Sequence, residues 1–174
     1  EGQVPNYDNI ARFVSAGIRA CREVKADIPL MIHLDNGGNN ELYRRWFDNY
    51  MERGEDFDYI GMSYYPFWHG SLEQLEYNMN DIAARYGKDI IIAEVSMGFT
   101  MEDYKDYEKL SDSERKGYAT RPALVEKIDY PMTIEGQTDF TRDILNRVAN
   151  VCGNHGAGFF WWEPAWIPVP GSGW

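Results

Sequence analysis

Residues 89–100 read DIIIAEVSMGFT. Three isoleucines and an alanine lead straight into a carboxylate, Glu94. The run reads as a deeply buried strand. A negative charge at the end of such a strand is costly unless it is paired, solvated or functional. Two readings stand at this point. One is an ion pair with a neighbouring Arg or Lys. The other is a nucleophile or general acid/base at the mouth of a barrel.

The surrounding elements follow a regular order. NYDNIARFVSAGIRACREVK (6–25) places Ile10, Phe13, Val14, Gly17, Ile18 and Cys21 at helical spacing. IPLMIHLDNGG (28–38) reads as a strand closed by a Gly/Asn turn, and NNELYRRWFDNYMERG (39–54) as a helix ended by Gly54. FDYIGMSYYPFW (57–68) is a strand. SLEQLEYNMNDIAARYG (71–87) is a helix with Ser71 as N-cap. After the strand at 88–100, a polar stretch over about 101–132 is too long for a simple connection and reads as a functional loop. A helix from Glu135 and a last strand, AGFFWWEPAW (157–166), complete the series. Strands alternating with amphipathic helices predict a parallel sheet with helices outside. The sheet is either open and doubly wound or part of a (β/α)8 barrel. No Gly-rich phosphate fingerprint follows any strand, which weighs against nucleotide-binding folds, including an independent flavodoxin-like module.

Strand phase favours the barrel. Side chains alternate between faces. Leu30, Ile32 and Leu34 share one face, opposite Met31, His33 and Asp35. Ile60 and Met62 oppose Gly61, Ser63 and Tyr65. Ile91 and Ala93 oppose Ile90, Ile92 and Glu94 under strict alternation, and Gly158, Phe160 and Trp162 share a face. Each strand thus has an apolar side and a side whose polarity rises toward its C-terminal end. Barrel enzymes place their catalytic groups at those ends.

Composition narrows the partners. The 174 residues carry 17 basic and 28 acidic side chains, for a net charge of −11. That argues against nucleic acid or an anionic membrane surface, which need a basic face. No stretch approaches the roughly 20 apolar residues of a membrane span. Aromatics make up 15% of the chain and cluster in SYYPFWHG (63–70) and GFFWWEPAW (158–166). Such clusters suit flat neutral ligands such as sugar rings, or else a large aromatic core. Cys21 and Cys152 leave room for one disulfide without requiring it.

Four constellations carry chemistry. Glu94 is the first. His33 and Asp35, in HLDNG, share a face and read either as a hydrogen-bonding wall for a polyol or as a locally satisfied His with an Asx turn. With no convergent third ligand, no metal site is assigned there. In SYYPFWHG, Tyr65 and Trp68 stand at a strand end, where Pro66 stops the ladder. WWEPAW repeats that arrangement with Trp162, Glu163 and Trp166. No serine elbow and no Cys–His arrangement is present.

The stretches YIGMSYYPFWHGSLEQLEYNMNDIAARYGKDIIIAEVSMGFT, YPMTIEGQTDFTRDIL and GAGFFWWEPAWIPV, together with IHLDNG, strongly resemble glycoside hydrolase family 53, the endo-β-1,4-galactanases. The resemblance spans nearly the whole chain. It implies a (β/α)8 barrel that hydrolyses β-1,4-galactan with retention, using two carboxylates about 5–5.5 Å apart. On this resemblance, residues 1–174 are the C-terminal half of one catalytic domain: the helix after strand four, then strands five to eight. Glu94 matches the nucleophile that ends the seventh strand. Trp162 matches the Trp supporting the sugar beside the scissile bond, and Tyr65 or Tyr64 the tyrosine near the nucleophile, with strand phase favouring Tyr65. His33, Asp35, Ser63, Trp68, Glu163 and Trp166 match positions lining the cleft.

The family's acid/base is a Glu after Asn at the end of the fourth strand. Asn40–Glu41 opens a helix and Glu1 falls too late, so neither takes that role. The segment alone is therefore expected to be inactive, and its open barrel edges are expected to drive self-association. Ser96, Met97 and Gly98 stand where the family usually has Thr-Ala-Tyr. No cofactor is required. Some relatives hold calcium in the long loop. Here Glu102, Asp103, Asp106, Glu108 and Asp112 could bind a cation, but a solvated acidic surface is the preferred reading. The resemblance implies a galactan or galacto-oligosaccharide partner and an extracellular, periplasmic or cell-surface location. No signal peptide is read at Glu1. The competing reading is a non-catalytic galactan-binding protein on a degenerate barrel.

Overall fold

The computed structural model describes residues 5–101, 109, 111, 113 and 122–164. Its elements are α1 (Tyr7–Val24), β1 (Met31–Leu34), α2 (Asn40–Met51), β2 (Tyr59–Tyr64), α3 (Leu72–Tyr86), β3 (Asp89–Val95), a short α4 (Pro122–Val125), α5 (Ile134–Ala149) and β4 (Gly156–Trp161). The strands form one parallel sheet in the order β1-β2-β3-β4. Sequential parallel neighbours joined through helices give the predicted barrel-like progression.

Local chemistry sets the helix ends. Asn6 and Asn39 cap α1 and α2 by accepting from the N–H groups of Asn9 and Leu42. Ser71 and Gln74 form a reciprocal capping box on α3, which stops at Gly87 with φ 61°. Thr133 caps α5. Gly54 follows α2 because a Cβ there would lie 2.3 Å from the Tyr50 ring.

One face of the sheet is the core. Ile32, Ile60, Met62, Ile90, Ile92 and Val95 are buried there together with Phe47, Leu75, Met79, Ile82, Phe140 and Ile144 from the helices. Burying one such side chain is worth roughly 1.5–3 kcal/mol, so this layer supplies most of the driving force. A polar tie crosses it. The fully buried Asn78 donates to Gly37 O at 2.7 Å and accepts from Asn40 Nδ2 at 3.0 Å. That anchors the β1–α2 loop to α3.

The other face is open. Met31 of β1 and Phe160 of β4 are exposed on it, Phe160 at 62%. Among the described strands, β1 and β4 are the edges, each with one hydrogen-bonded neighbour. Cys21 and Cys152 are both free, exposed thiols. No helix among the described residues is long and apolar enough to cross a membrane. The acids of the long loop, Glu102, Asp103, Asp106, Glu108 and Asp112, lie outside the described residues.

Candidate active site

The C-terminal ends of the four strands converge on an open cleft of about 500 Å³. His33, Asp35, Ser63, Tyr65, Trp68, His69, Glu94 and Trp162 line it. β1 supplies His33, and β2 supplies Ser63. In the register His33 pairs with Gly61, so Ser63 lies two residues further along β2 on the same face, and the side chains meet diagonally: His33 Nε2 lies 2.8 Å from Ser63 Oγ. A Cβ on Gly61 would meet Met31 Sδ at 2.8 Å and His33 Cβ at 3.1 Å, so the glycine leaves room for the His33 wall.

Glu94 reaches the cleft by a route that strict alternation does not foresee. Met62 pairs with Ile92, but Ser63 pairs with Glu94, so Ala93 is an extra residue on β3. The bulge resets the phase. Ile90 and Ile92 stay on the buried face, Glu94 turns to the Ser63 side, and Val95 returns to the core beside Tyr64. The expectation that Glu94 shares the face of Ile90 and Ile92 is therefore corrected. Tyr65 then donates its O–H to Glu94 Oε2 at 2.9 Å. Burial, followed by the Glu94 carboxylate, pushes the Tyr65 phenol well above its ordinary pKa, so it remains a donor.

Tyr64, the alternative to Tyr65, faces away from the cleft. It is buried among the helices, donates to Gly70 O at 2.9 Å and stacks on Phe140 at 6.4 Å. Alternation along β2 and the turn at Pro66 separate the two tyrosines. Trp68 packs edge-on against Tyr65 at 5.9 Å and is 41% exposed. Trp162 is held by its own N–H, which donates to Val95 O at 2.9 Å, and its side chain is 39% exposed in the cleft. Glu163 is exposed with φ 51° and does not line the cleft, though its charge helps raise the Tyr65 phenol. Trp166 lies outside the described residues.

His69 is the lining residue that sequence reading left unassigned. It is buried, and its ring meets Tyr65 edge-on at 5.4 Å. Nδ1 lies 3.1 Å from both the Tyr65 N–H and Ser63 O, and Nε2 lies 3.2 Å from Asp35 Oδ1. Ser63 O already accepts from the Gly37 N–H at 2.8 Å. The tautomer with the proton on Nε2 satisfies the set: Nε2–H donates to Asp35 and bare Nδ1 accepts from Tyr65. Burial lowers the His69 pKa, against the pull of Asp35. The His69 N–H also donates to Tyr65 O at 2.9 Å, so the turn closes on itself. The only trace of this in the sequence is a histidine four residues after Tyr65 in a Pro-containing turn.

No Lys or Arg lines the cleft, so the ion-pair reading of Glu94 finds no partner among its lining residues. No group of three or more His, Cys, Asp or Glu that could hold a metal occurs among the described residues. What remains is an oriented carboxylate between exposed indoles and hydrogen-bonding side chains. That combination accommodates a ligand with apolar ring faces and hydroxyl edges.

The model of glycosyl hydrolase family 53 matches residues 1–174. The chain belongs to this family. It is 41% identical over 162 residues to an uncharacterised Niallia circulans protein from the bgaB 5′ region, covering 93% of this chain and 42% of that protein. It is 33% identical over 164 residues to the endo-beta-1,4-galactanase of Bacillus subtilis (strain 168), covering 94% of this chain and 36% of the relative. The Ignisphaera aggregans GH53 catalytic domain superposes with a TM-score of 0.82 at 30% identity, covering 97% of this chain and 44% of that one. The chain thus spans less than half the length of these relatives. Its four parallel strands with their helices are about half of the glycosyl hydrolase family 53 (β/α)8 barrel.

Proposed function

We propose that this chain is the C-terminal half of a single catalytic domain whose full-length protein is a retaining endo-hydrolase of β-1,4-galactan. The observation that carries the reading is Glu94, turned into the cleft by the β3 bulge with the Tyr65 O–H on its Oε2 at 2.9 Å. In a retaining reaction, a Glu94 oxygen attacks the anomeric carbon as the bond to the leaving oxygen breaks. A second carboxyl group, supplied from outside these residues, protonates that oxygen. It then takes a proton from water, and the water displaces Glu94. Tyr65 holds the attacking carboxylate in one rotamer. Trp162 offers a ring face for the sugar beside the scissile bond, while His33, Asp35, Ser63 and Trp68 contact hydroxyls and neighbouring sugars.

A polysaccharide substrate points to a location outside the cytoplasm. An isolated copy of this segment is expected to self-associate through its open sheet edges.

The test is hydrolysis of linear β-1,4-galactan by the full-length protein, wild type against Glu94→Gln. The expected result is galacto-oligosaccharides from the wild type and a loss of about a thousandfold or more in the variant, on the order of removing a covalent nucleophile. Equal activity in both removes Glu94 from the mechanism. Galactan binding without turnover in either replaces the hydrolase with a binding protein.

A further inference from the structure

A second hollow, of about 600 Å³, adjoins the cleft. Asn36, Asn39, Asn40, Gln74 and Tyr77 line it, and so do Trp68 and His69, which also line the cleft. Trp68 therefore stands between two concave surfaces rather than at the edge of one. The β1–α2 and β2–α3 loops, the start of α2 and the first turns of α3 build the hollow. Its shape depends on close backbone approach: a Cβ on Gly38 would lie 2.0 Å from His69 O, and Gly70 has φ +84°. Tyr77, on the outer side of α3, is 59% exposed. Nothing in the packing of the core calls for an aromatic ring at that position.

We propose that this hollow is an outlying sugar subsite through which a neutral glycan chain runs on from the cleft, with Trp68 as the shared platform and Tyr77 as the outer one. This rests on the galactan reading of the cleft. The lining chemistry selects the class of ligand. Aromatic faces stack on the apolar faces of sugar rings, and side-chain amides both donate to and accept from hydroxyls. Neither the hollow nor the cleft is lined by a Lys or Arg, and Glu73 borders the hollow. The chain as a whole carries −11. An anionic uronic-acid polymer would be repelled along the whole path, whereas a neutral galactan would not.

The experiment uses the full-length protein with Tyr77→Ala and Tyr77→Phe. Two readouts are taken: KM on long β-1,4-galactan against short galacto-oligosaccharides, and retardation in native gels containing galactan or polygalacturonate. Tyr77→Ala is expected to raise KM on the polymer about three- to tenfold with little change in kcat, the signature of lost uniform binding. Tyr77→Phe keeps the ring face and should restore the wild-type value. Retardation by galactan should weaken in Tyr77→Ala, and polygalacturonate should retard neither protein. If the wild type is retarded but does not cleave, the hydrolase reading falls while a loss of retardation in Tyr77→Ala still supports the subsite. Equal polymer KM and equal retardation in wild type and Tyr77→Ala overturn it. Retardation by polygalacturonate as strong as by galactan overturns the neutral-glycan assignment.

Discussion

Tyr65→Phe isolates one hydrogen bond at the centre of the cleft. The phenylalanine ring can keep the edge-on contacts with Trp68 at 5.9 Å and His69 at 5.4 Å, so packing is conserved. What disappears is the O–H donor 2.9 Å from Glu94 Oε2. Tyr65 is 7% exposed, so water does not readily replace the lost donor. A hydrogen bond to a charged group is worth about 1.5–3 kcal/mol. If that energy orients the attacking carboxylate, kcat/KM on galactan should fall by about 10- to 150-fold. The contribution of His69 can then be tested by a cycle with His69→Ala, since His69 touches the Tyr65 amide and ring and Tyr65 bonds Glu94. Activity lost in His69→Ala should shrink markedly once Tyr65 is already Phe, with a coupling of about 0.5–3 kcal/mol. The assay is initial-rate hydrolysis by the full-length protein, with circular dichroism to show that each variant is folded. A Tyr65→Phe rate within twofold of wild type would refute the role of the hydrogen bond. Strictly additive losses in the cycle would refute the route through Tyr65.

Two further outcomes concern stability. Asn78→Ala removes a buried hydrogen bond to Gly37 O and a part-buried one from Asn40, and leaves the carbonyl without its side-chain donor. A loss of about 2–4 kcal/mol is expected from the denaturant midpoint, and a loss under about 1 kcal/mol would show that the loop re-forms without this tie. His69 supplies a pH signature. Burial lowers its pKa, with Asp35 and Glu94 pulling the other way, so the unfolded chain takes up the proton more readily than the folded one. Stability carried by neutral His69 is therefore present above about pH 6.5 and lost as the pH falls through the lower folded value. The melting-temperature gap between wild type and His69→Ala should narrow from pH 7.5 to pH 5; a gap that stays constant or widens contradicts a buried neutral imidazole.

The order of elements was legible in the sequence because it depends on local chemistry. Apolar spacing marked α1, Ser71 and Gly87 bracketed α3, and the isoleucine run marked β3. Most of the cleft was legible as well. His33, Ser63, Tyr65 and Trp162 lie near the C-terminal ends of strands whose alternation is regular or whose face the aromatics reveal. Two decisive features depended on tertiary structure. Glu94 faces the cleft only because β3 gains one residue against β2 at Ala93, with Ile92 and Val95 both buried on either side of the bulge. His69 matters only because the turn after Pro66 folds its ring back onto the Tyr65 amide while the β1–α2 loop brings Asp35 to its other nitrogen. Periodicity in a single chain determines which residues form a strand. Which face the last of them presents, and which distant side chain meets it, is decided by the neighbouring strand, because hydrogen-bond register is a property of the pair.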